Sequence, residues 1–208
     1  MVSRRRFCLT LLAGAAVPWQ SVAAAVSAAE VEAASRFMDD LAKQAIELLR
    51  RTRDDADSRQ AAFRQLLSTG FDVPFIGRFA LGRHWRGATT AQRQRYLALF
   101  TEFLIQTYTR RLSDYSSERF QITGARAAGK RDVIVQTRIE RPDSASIRAD
   151  WRVRGGAGGH RVIDVSVEGI SMAVTQRTEF ASVVRSHGMD GLLQALESRA
   201  RIHLANAS

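Results

Sequence analysis

The side chains best suited to catalysis are scattered along this chain. Its four histidines, His84, His160, His187 and His203, lie in four different predicted segments. None of them has a metal-ligand partner at helical or hairpin spacing, so the pattern does not predict a metal centre. Ser171 lacks the surrounding Gly-x-Ser-x-Gly arrangement that exposes an esterase nucleophile.

Two carboxylates come nearest to an acid–base pair. Asp164 and Glu168 lie four residues apart on the polar side of a predicted strand, where they could transfer protons. A solvated strand face is the simpler explanation. The glycine-rich run 155–159 lies between strands, so it predicts a turn and not a phosphate-binding loop. We therefore expect no enzyme, no cofactor and no metal, with an exported hydrolase as the alternative.

A dense run of aromatic residues is the most informative feature for function. Half of the aromatic residues (ten Phe, three Trp and three Tyr) fall between positions 71 and 108, on one short and one long predicted helix. Core packing alone would spread them more evenly along a chain of this size. Together with an apolar sheet face, they could wall a pocket for an apolar ligand. The eight residues are Phe71, Phe75, Phe79, Trp85, Tyr96, Phe100, Phe103 and Tyr108.

The N-terminus predicts export. Arg4, Arg5 and Arg6 precede the short apolar run 9–17, and small residues suited to signal cleavage follow. The run is too short to span a bilayer. The order Ser-Arg-Arg-x-Phe is similar to the twin-arginine signal for folded cargo, with an ordinary Sec signal as the alternative. We expect residues 1–25 to be an export signal peptide and residues 26–208 to form a single domain.

Cysteine content and net charge further narrow the classes of protein to which this chain could belong. The only cysteine, Cys8, lies within the predicted signal, so residues 26–208 have no thiol for a disulfide. Removal of the signal takes away three arginines and no acid, which lowers the net charge of +10 by three, to +7. A basic surface attracts anionic lipids or acidic proteins, and export argues against nucleic acid. Arg148, Arg152 and Arg154 alternate outward on a predicted strand and are candidates for steering such partners; a dispersed surface without a partner is the alternative.

Helical patterns occupy both ends of the predicted domain. Thr89 and Gln92 form a capping box that begins a long helix. Asp72 is a predicted N-cap of the short helix before it. Apolar residues recur at three- and four-residue intervals in the other segments. The predicted helices are 30–53, a helix that ends at Gly70, a short helix after Asp72, 89–112, 174–186 and 189–204, the last two separated by Gly188.

Alternation of apolar and polar residues predicts a sheet between the helical parts. The pattern is clearest in 147–154 and 163–168, where every second residue is apolar. Successive strands without intervening helices form an antiparallel sheet, and 155–159 joins two of them as a hairpin. We predict an α+β fold in which a curved antiparallel sheet of about four strands packs against about six helices, with an apolar pocket between them.

Two separated motifs resemble the signatures of the MlaC family, the toluene-tolerance or auxiliary ABC-transport proteins of the periplasm. The first is the segment 71–86, Phe-Asp-Val-Pro-Phe-Ile-Gly-Arg-Phe-Ala-Leu-Gly-Arg-His-Trp-Arg, which the aromatic face of the long helix continues. The second comprises 151–153, Trp-Arg-Val, then 162–172, Val-Ile-Asp-Val-Ser-Val-Glu-Gly-Ile-Ser-Met, and then Arg177 and Phe180. The likeness covers nearly all of residues 26–208, in order.

Two positions depart from the family pattern. His160 stands where the family usually has tryptophan, and Gln176 stands where it usually has tyrosine. The stretch 175–180, Thr-Gln-Arg-Thr-Glu-Phe, is similar to the branch associated with hopanoid biosynthesis clusters, called HpnM. The ligand therefore stays open between a glycerophospholipid and a hopanoid-like lipid.

The resemblance implies a periplasmic lipid-binding shuttle. Such a protein would carry a phospholipid, or another two-chain lipid, between an outer-membrane lipoprotein complex and an inner-membrane ABC transporter with a substrate-binding ring. Acyl chains would enter between the sheet and the helices, and the headgroup would stay outside. We expect a monomer that binds no nucleic acid. A ligand-free interaction module with a closed pocket is the alternative.

We predict a lipid-binding pocket with a helical wall and a sheet wall. We also predict access through the segment 71–85, because Gly77, Gly82 and Gly87 would permit it to move. The predicted helical wall comprises Phe75, Ile76, Phe79, Phe100, Phe103, Leu104 and Tyr108. The predicted sheet wall comprises Val133, Val135, Ile147, Trp151, Val165 and Val167.

Overall fold

A computed structural model describes residues 26–111, 119–141 and 144–206. The predicted signal peptide, residues 1–25, lies outside the described residues. Within the described ranges the chain forms an α+β fold, as predicted, with six helices and five antiparallel strands. The helices are α1 (Ala28–Arg51), α2 (Ala56–Gly70), α3 (Val73–Leu81), α4 (His84–Gly87), α5 (Thr90–Arg111) and α6 (Met172–Asn206). The strands are β1 (Arg119–Ala128), β2 (Asp132–Arg141), β3 (Ser144–Arg154), β4 (Arg161–Val167) and β5 (Ile170–Ser171).

The predicted helix caps are present. Asp72 accepts a 2.9 Å hydrogen bond from the backbone N–H of Phe75 at the start of α3. At the start of α5, the N–H of Thr89 donates to Gln92 Oε1 at 3.0 Å, and the N–H of Gln92 donates to Thr89 Oγ1 at 3.2 Å. This reciprocal pair satisfies two backbone donors that a helix leaves unpaired, so the capping-box prediction is confirmed.

The two predicted C-terminal helices are joined as α6. Gly188 interrupts the helical backbone with φ of 70° and ψ of −176°, at the position where the sequence predicted a break. Only glycine adopts such angles readily, because other residues would bring Cβ too close to the backbone. The element therefore bends at Gly188 and places its two halves on different parts of the core.

The sheet is a meander in which each strand pairs with the next in the sequence, in the order β1-β2-β3-β4-β5. A bulge in β4 leaves Ile163 without a partner, so Val162 and not Ile163 faces Val153. The alternation predicted for 163–168 therefore continues into a bulge at Ile163, which is itself 3% exposed. The sequence also missed β5, which pairs with the end of β4 after the two-residue turn Glu168-Gly169.

The helices cover one face of the sheet, here called the inner face. Helix α1 packs on β1 and β2, whereas α3 and α6 pack on β4. Helix α5 makes its main contacts with α6, α2 and α3. Phe71 adds an isolated parallel bridge to Val162 at the edge of β4, and the N–H of Asp72 donates to the carbonyl of Val162 at 3.0 Å. The start of α3 is therefore fixed to the sheet.

Candidate functional site

The inner face of the sheet changes in burial from one end to the other. Near the β1–β2 and β3–β4 turns, Val133, Val153 and Val162 are at most 1% exposed. Toward the opposite end most of the inward residues are half-buried, whereas Thr137 and Ala149 are each 2% exposed. We call the first end the closed end and the second the open end. The half-buried inward residues are Phe120, Ile122, Ile139, Ile147, Trp151, Val165 and Val167.

Helix α5 shows the same change along one stripe. Tyr96, Phe100, Leu104 and Tyr108 follow one another at four-residue intervals and so share one face of the helix. Tyr96 and Phe100 are 0% and 1% exposed, whereas Leu104 and Tyr108 are half-buried. Only residues 112–118 separate the end of α5 from the start of β1, which lies at the open end. Both layers thus carry half-buried apolar residues beyond a sealed region.

Trp151 is held in a defined orientation on the inner face. Its indole Nε1 donates a 3.0 Å hydrogen bond to Thr137 Oγ1, whose own hydroxyl donates to the carbonyl of Ala149 at 2.8 Å. The ring of Phe120 lies 6.2 Å from the indole ring, centroid to centroid. Because its one polar group is satisfied inside the sheet, Trp151 presents the rest of its surface as apolar area.

Phe100 and Phe103, both predicted for the helical wall, lie in a packed aromatic cluster. The ring of Phe100 stacks on Tyr96 at 5.7 Å and meets Phe180 of α6 edge-on at 6.1 Å. Phe103 lies 6.3 Å from Phe100 and 6.0 Å from Phe180. Burial raises the pKa of Tyr96, whose hydroxyl stays protonated. These ring contacts join α5 to α6 in the packed core, next to the half-buried residues of α5.

Two of the three predicted α3 residues, Phe75 and Phe79, contact arginine side chains. The guanidinium of Arg154 lies 4.7 Å from the ring centroid of Phe75, and Arg154 alternates onto the outer face of the sheet. The guanidinium of Arg177 lies 5.4 Å from the ring centroid of Phe79. Ile76 is half-buried against the core. Cations cover both phenylalanine rings, as is typical of aromatic residues near a surface.

Gly77 is a site of close packing. A Cβ atom there would lie 2.9 Å from Leu97 Cδ2 and 3.0 Å from Phe100 Cδ1. The absence of a side chain thus lets α3 approach α5. This packing argues against the prediction that Gly77 lets the segment move. Gly82, with φ of 60°, ends α3, and the side chain of Arg177 lies against it.

The outward arginines of β3 are engaged in ion pairs. Asp132, which is 4% exposed, accepts hydrogen bonds from Arg152 at 2.8 Å and from Arg154 at 2.6 Å. Burial by itself would raise the pKa of Asp132, but the two guanidinium groups outweigh burial and hold that pKa below its usual value. Arg148 pairs with Glu168 at 3.0 Å. The three arginines predicted for steering are therefore poor candidates for free docking groups.

The carboxylates considered for acid–base chemistry serve structural roles. Asp164 accepts hydrogen bonds from the hydroxyl of Ser171 at 2.6 Å and from the backbone N–H of Ala173 at 3.1 Å, and so caps α6. Glu168 accepts a 2.7 Å hydrogen bond from the backbone N–H of Arg148. Within the residues that the structure describes, no cluster of metal-ligating side chains is present. In the same ranges, no helix is long and apolar enough to cross a membrane.

A cleft of about 230 Å³ lies at the closed end, beside the β3–β4 turn. Asp72, Arg154, Arg161 and Ile163 line it together with four glycines of the turn. Arg161 donates to the carbonyl of His160 at 2.8 Å. Two arginines and one aspartate line this cleft, and these charged side chains distinguish it from the apolar space at the open end.

Comparisons with known proteins agree with this architecture. The family model described as MlaC protein matches residues 39–198. The intermembrane phospholipid transport system binding protein MlaC of Haemophilus influenzae is 22% identical over 133 residues, which are 62% of this chain and 62% of that protein. The matched region is therefore less than two thirds of that relative's length.

A solved structure has the same fold. It is the phospholipid-binding protein from Ralstonia solanacearum in complex with a phospholipid, and it superposes with a TM-score of 0.72 at 24% sequence identity. The superposition covers 81% of this chain and 97% of that protein.

Proposed function

This chain belongs to the MlaC family, and we propose that it is a periplasmic carrier of a two-chain phospholipid whose acyl chains lie between the inner face of the sheet and α5. The observation that carries the proposal is the matched change in burial on the two layers. Val133 and Phe100 are sealed, whereas Trp151 and Leu104 are half-buried. Two apolar surfaces that open toward the same end suit a ligand that enters tail first.

The predicted site residues fall into three groups according to their burial and their place in the fold. We propose that the half-buried residues contact the acyl chains, that the sealed residues support them, and that the three α3 residues contribute at the margin. The first group is Leu104, Tyr108, Ile147, Trp151, Val165 and Val167. The second is Phe100, Phe103, Val133 and Val135. The third is Phe75, Ile76 and Phe79.

Energetics explain why such a carrier works with partners. Burial of an acyl chain is worth about 0.8 kcal/mol for each CH₂ group. Two chains of about fifteen carbons would then give more than about 20 kcal/mol before entropic costs, so spontaneous release into water is negligibly slow. Unloading requires an acceptor that offers an equally apolar path. We propose an inner-membrane ABC transporter and an outer-membrane lipoprotein complex as the two partners, which fits the name of the Haemophilus influenzae relative.

A carrier between two membranes must reach the periplasm, so the proposal includes export of the protein. The arginine-rich start and apolar run of residues 1–25 would deliver the domain to the periplasm, where such a carrier acts. The carrier would act as a monomer. A function without catalysis is supported by Asp164 and Glu168, which make structural hydrogen bonds.

Native mass spectrometry of protein purified from a bacterial periplasm tests the proposal. We expect a stoichiometric lipid adduct that organic extraction releases. Its mass distinguishes a phospholipid from the hopanoid-like lipid suggested by the stretch 175–180. A clean ligand-free mass from gently prepared, never-denatured material would contradict the proposal and favour an interaction module.

A further inference from the structure

Two exposed aliphatic side chains lie together at the open end. Among the described residues, the large hydrophobic side chains that are exposed are Ile46, Ile170 and Val174, at 46%, 61% and 50%. Ile170 pairs with Val167, the last inward residue of β4, across the Glu168-Gly169 turn. Val174 lies in the first turn of α6, which directly follows β5. The two side chains thus form an apolar lip beside the half-buried residues of the open end.

Next to this lip the surface carries arginines that have no carboxylate partner among the described residues. Arg177 is one turn beyond Val174 on α6 and lies against Gly82 and Phe79 of the α3 region. Helix α6 also contacts α4. Among the residues that the structure describes, Arg177 and its neighbours on these helices have no carboxylate partner within ion-pair distance. The set, here called the basic flank, is Arg78, Arg83, Arg86, Arg177 and Arg185, all of them exposed.

The local sequence keeps the basic flank positive. The chain has no acidic residue between Asp72 and Glu102, and Glu179 is the only acid on α6 before its bend. His84 lies within the flank, where burial first and then the charges of Arg83 and Arg185 lower its pKa. The neutral form of His84 is therefore favoured, and the guanidinium groups supply the charge.

We propose that the lip and the basic flank together form a docking surface for an anionic lipid bilayer. Ile170 and Val174 would enter the headgroup region, and the arginines would bind anionic headgroups, as in proteins that lie on membrane surfaces. This placement would set the open end against the bilayer. The proposal rests on the proposed function and adds to it a surface that would hold the carrier at the membrane in which a partner complex lies.

A bilayer fits these observations better than a partner protein. Stable protein interfaces bury a cluster of aromatic or arginine anchors in pockets that fit them. The lip offers two aliphatic side chains at an edge, which a fluid headgroup layer can accept without a matching shape. Weak, reversible contact is also what a shuttle requires, since a strong anchor would hold it on one membrane.

Vesicle flotation tests the proposal with residues 26–208. The probes are vesicles of phosphatidylcholine alone and of phosphatidylcholine mixed with phosphatidylglycerol. We expect binding to the mixed vesicles that weakens as salt is raised, because exposed charges are screened over about 8 Å at physiological ionic strength. Ile170→Thr with Val174→Thr should weaken binding about tenfold, and Arg83→Glu with Arg185→Glu by about tenfold or more. The threonine pair keeps the branched shape of the native side chains.

Matched controls separate the surface from general effects. Ile46→Thr removes the exposed aliphatic residue of α1, and Arg126→Glu reverses an exposed charge on β1; neither should change binding. Circular dichroism melting checks that every variant folds. Absence of binding to mixed vesicles, equal binding to both vesicle types, or equal weakening by the controls would overturn the proposal. Lipid content by extraction is read separately, so this proposal and the carrier function can fail independently.

Discussion

The phenolic hydroxyl of Tyr96 donates a 3.0 Å hydrogen bond to the backbone carbonyl of Gly77, in the sealed region where α3 meets α5. Gly77 also lies too close to Leu97 and Phe100 for a side chain to fit without movement. The hydrogen bond and the close packing fix the two helices to each other. These contacts argue against movement at Gly77, within the segment predicted to give access to the pocket.

Gly77→Ala should lower the free energy of unfolding by about 1–2 kcal/mol. Overpacking against Leu97 and Phe100 costs about 1–3 kcal/mol, and the higher helix propensity of alanine offsets up to about 1 kcal/mol of it. Gly87→Ala is the control, because nothing lies within 4 Å of its Cβ position. Urea denaturation measures both variants, and equal stability of the two would show that the contact is not restrictive.

Leu104→Asp should abolish lipid loading while the protein still folds. A carboxylate in the apolar space would remain solvated only if acyl chains stay out. Phe100→Asp, one turn earlier on the same stripe, should prevent folding because that position is 1% exposed. Ala98→Asp, on the solvent side of α5, should leave both properties unchanged. Organic extraction measures lipid loading, and thermal melting measures folding. A Leu104→Asp protein that retains its lipid would contradict the proposed pocket.

Trp151 should report directly on the acyl chains. Residues 26–208 contain two tryptophans, Trp85 and Trp151, and Trp85 lies on α4 with the guanidinium of Arg93 5.4 Å from its ring centroid. Lipid with bromine-labelled acyl chains should quench the fluorescence of a Trp85→Phe variant strongly. The Trp151→Phe variant, which retains only Trp85 in the domain, should be quenched little. The reverse order would place the chains against α4.

Asp132 should make the protein acid-sensitive. Its pKa in the folded protein lies below the ordinary value of 3.8, so its contribution to stability is complete above that value. The contribution is lost as pH falls through the lower pKa of the folded state. Asp132→Asn should cost about 2 kcal/mol at neutral pH, less than a fully buried pair because Arg152 is half exposed. It should also flatten the acid limb of the stability curve.

Urea unfolding at a series of pH values checks the role of Asp132. Asp40→Asn, at an exposed position of α1, is the control and should follow the native protein. A native acid limb in the Asp132→Asn variant would assign the pH dependence to other carboxylates.

The local elements could be predicted from sequence because their signals are local. The capping residues Thr89 and Gln92, the break at Gly188 and the alternation of β3 each depend on near neighbours. The bulge at Ile163 carries no such signal, since both Val162 and Ile163 are apolar. The pairing with β3 decides which of the two faces inward.

The depth to which each apolar residue is buried could not be predicted from the sequence, and this limited the prediction of the site. Phe100 and Leu104 share one stripe of α5, and periodicity identifies that stripe without showing where it leaves the core. The distinction depends on how far the sheet and α6 extend over the helix. The ion pairs of the predicted docking arginines could not be foreseen for a similar reason. Alternation placed Arg148 and Arg154 outside, but their partners lie far away in the sequence, Glu168 in the turn after β4 and Asp132 on β2.

The sequential order of the strands has a consequence for the speed of folding. Each strand of the meander pairs with its neighbour in the sequence, so the sheet forms through short loops. Closing a short loop costs less entropy than closing a long one, and chains dominated by local pairing fold faster than chains with distant pairing. The sheet can therefore form before α1 and α6 close over it.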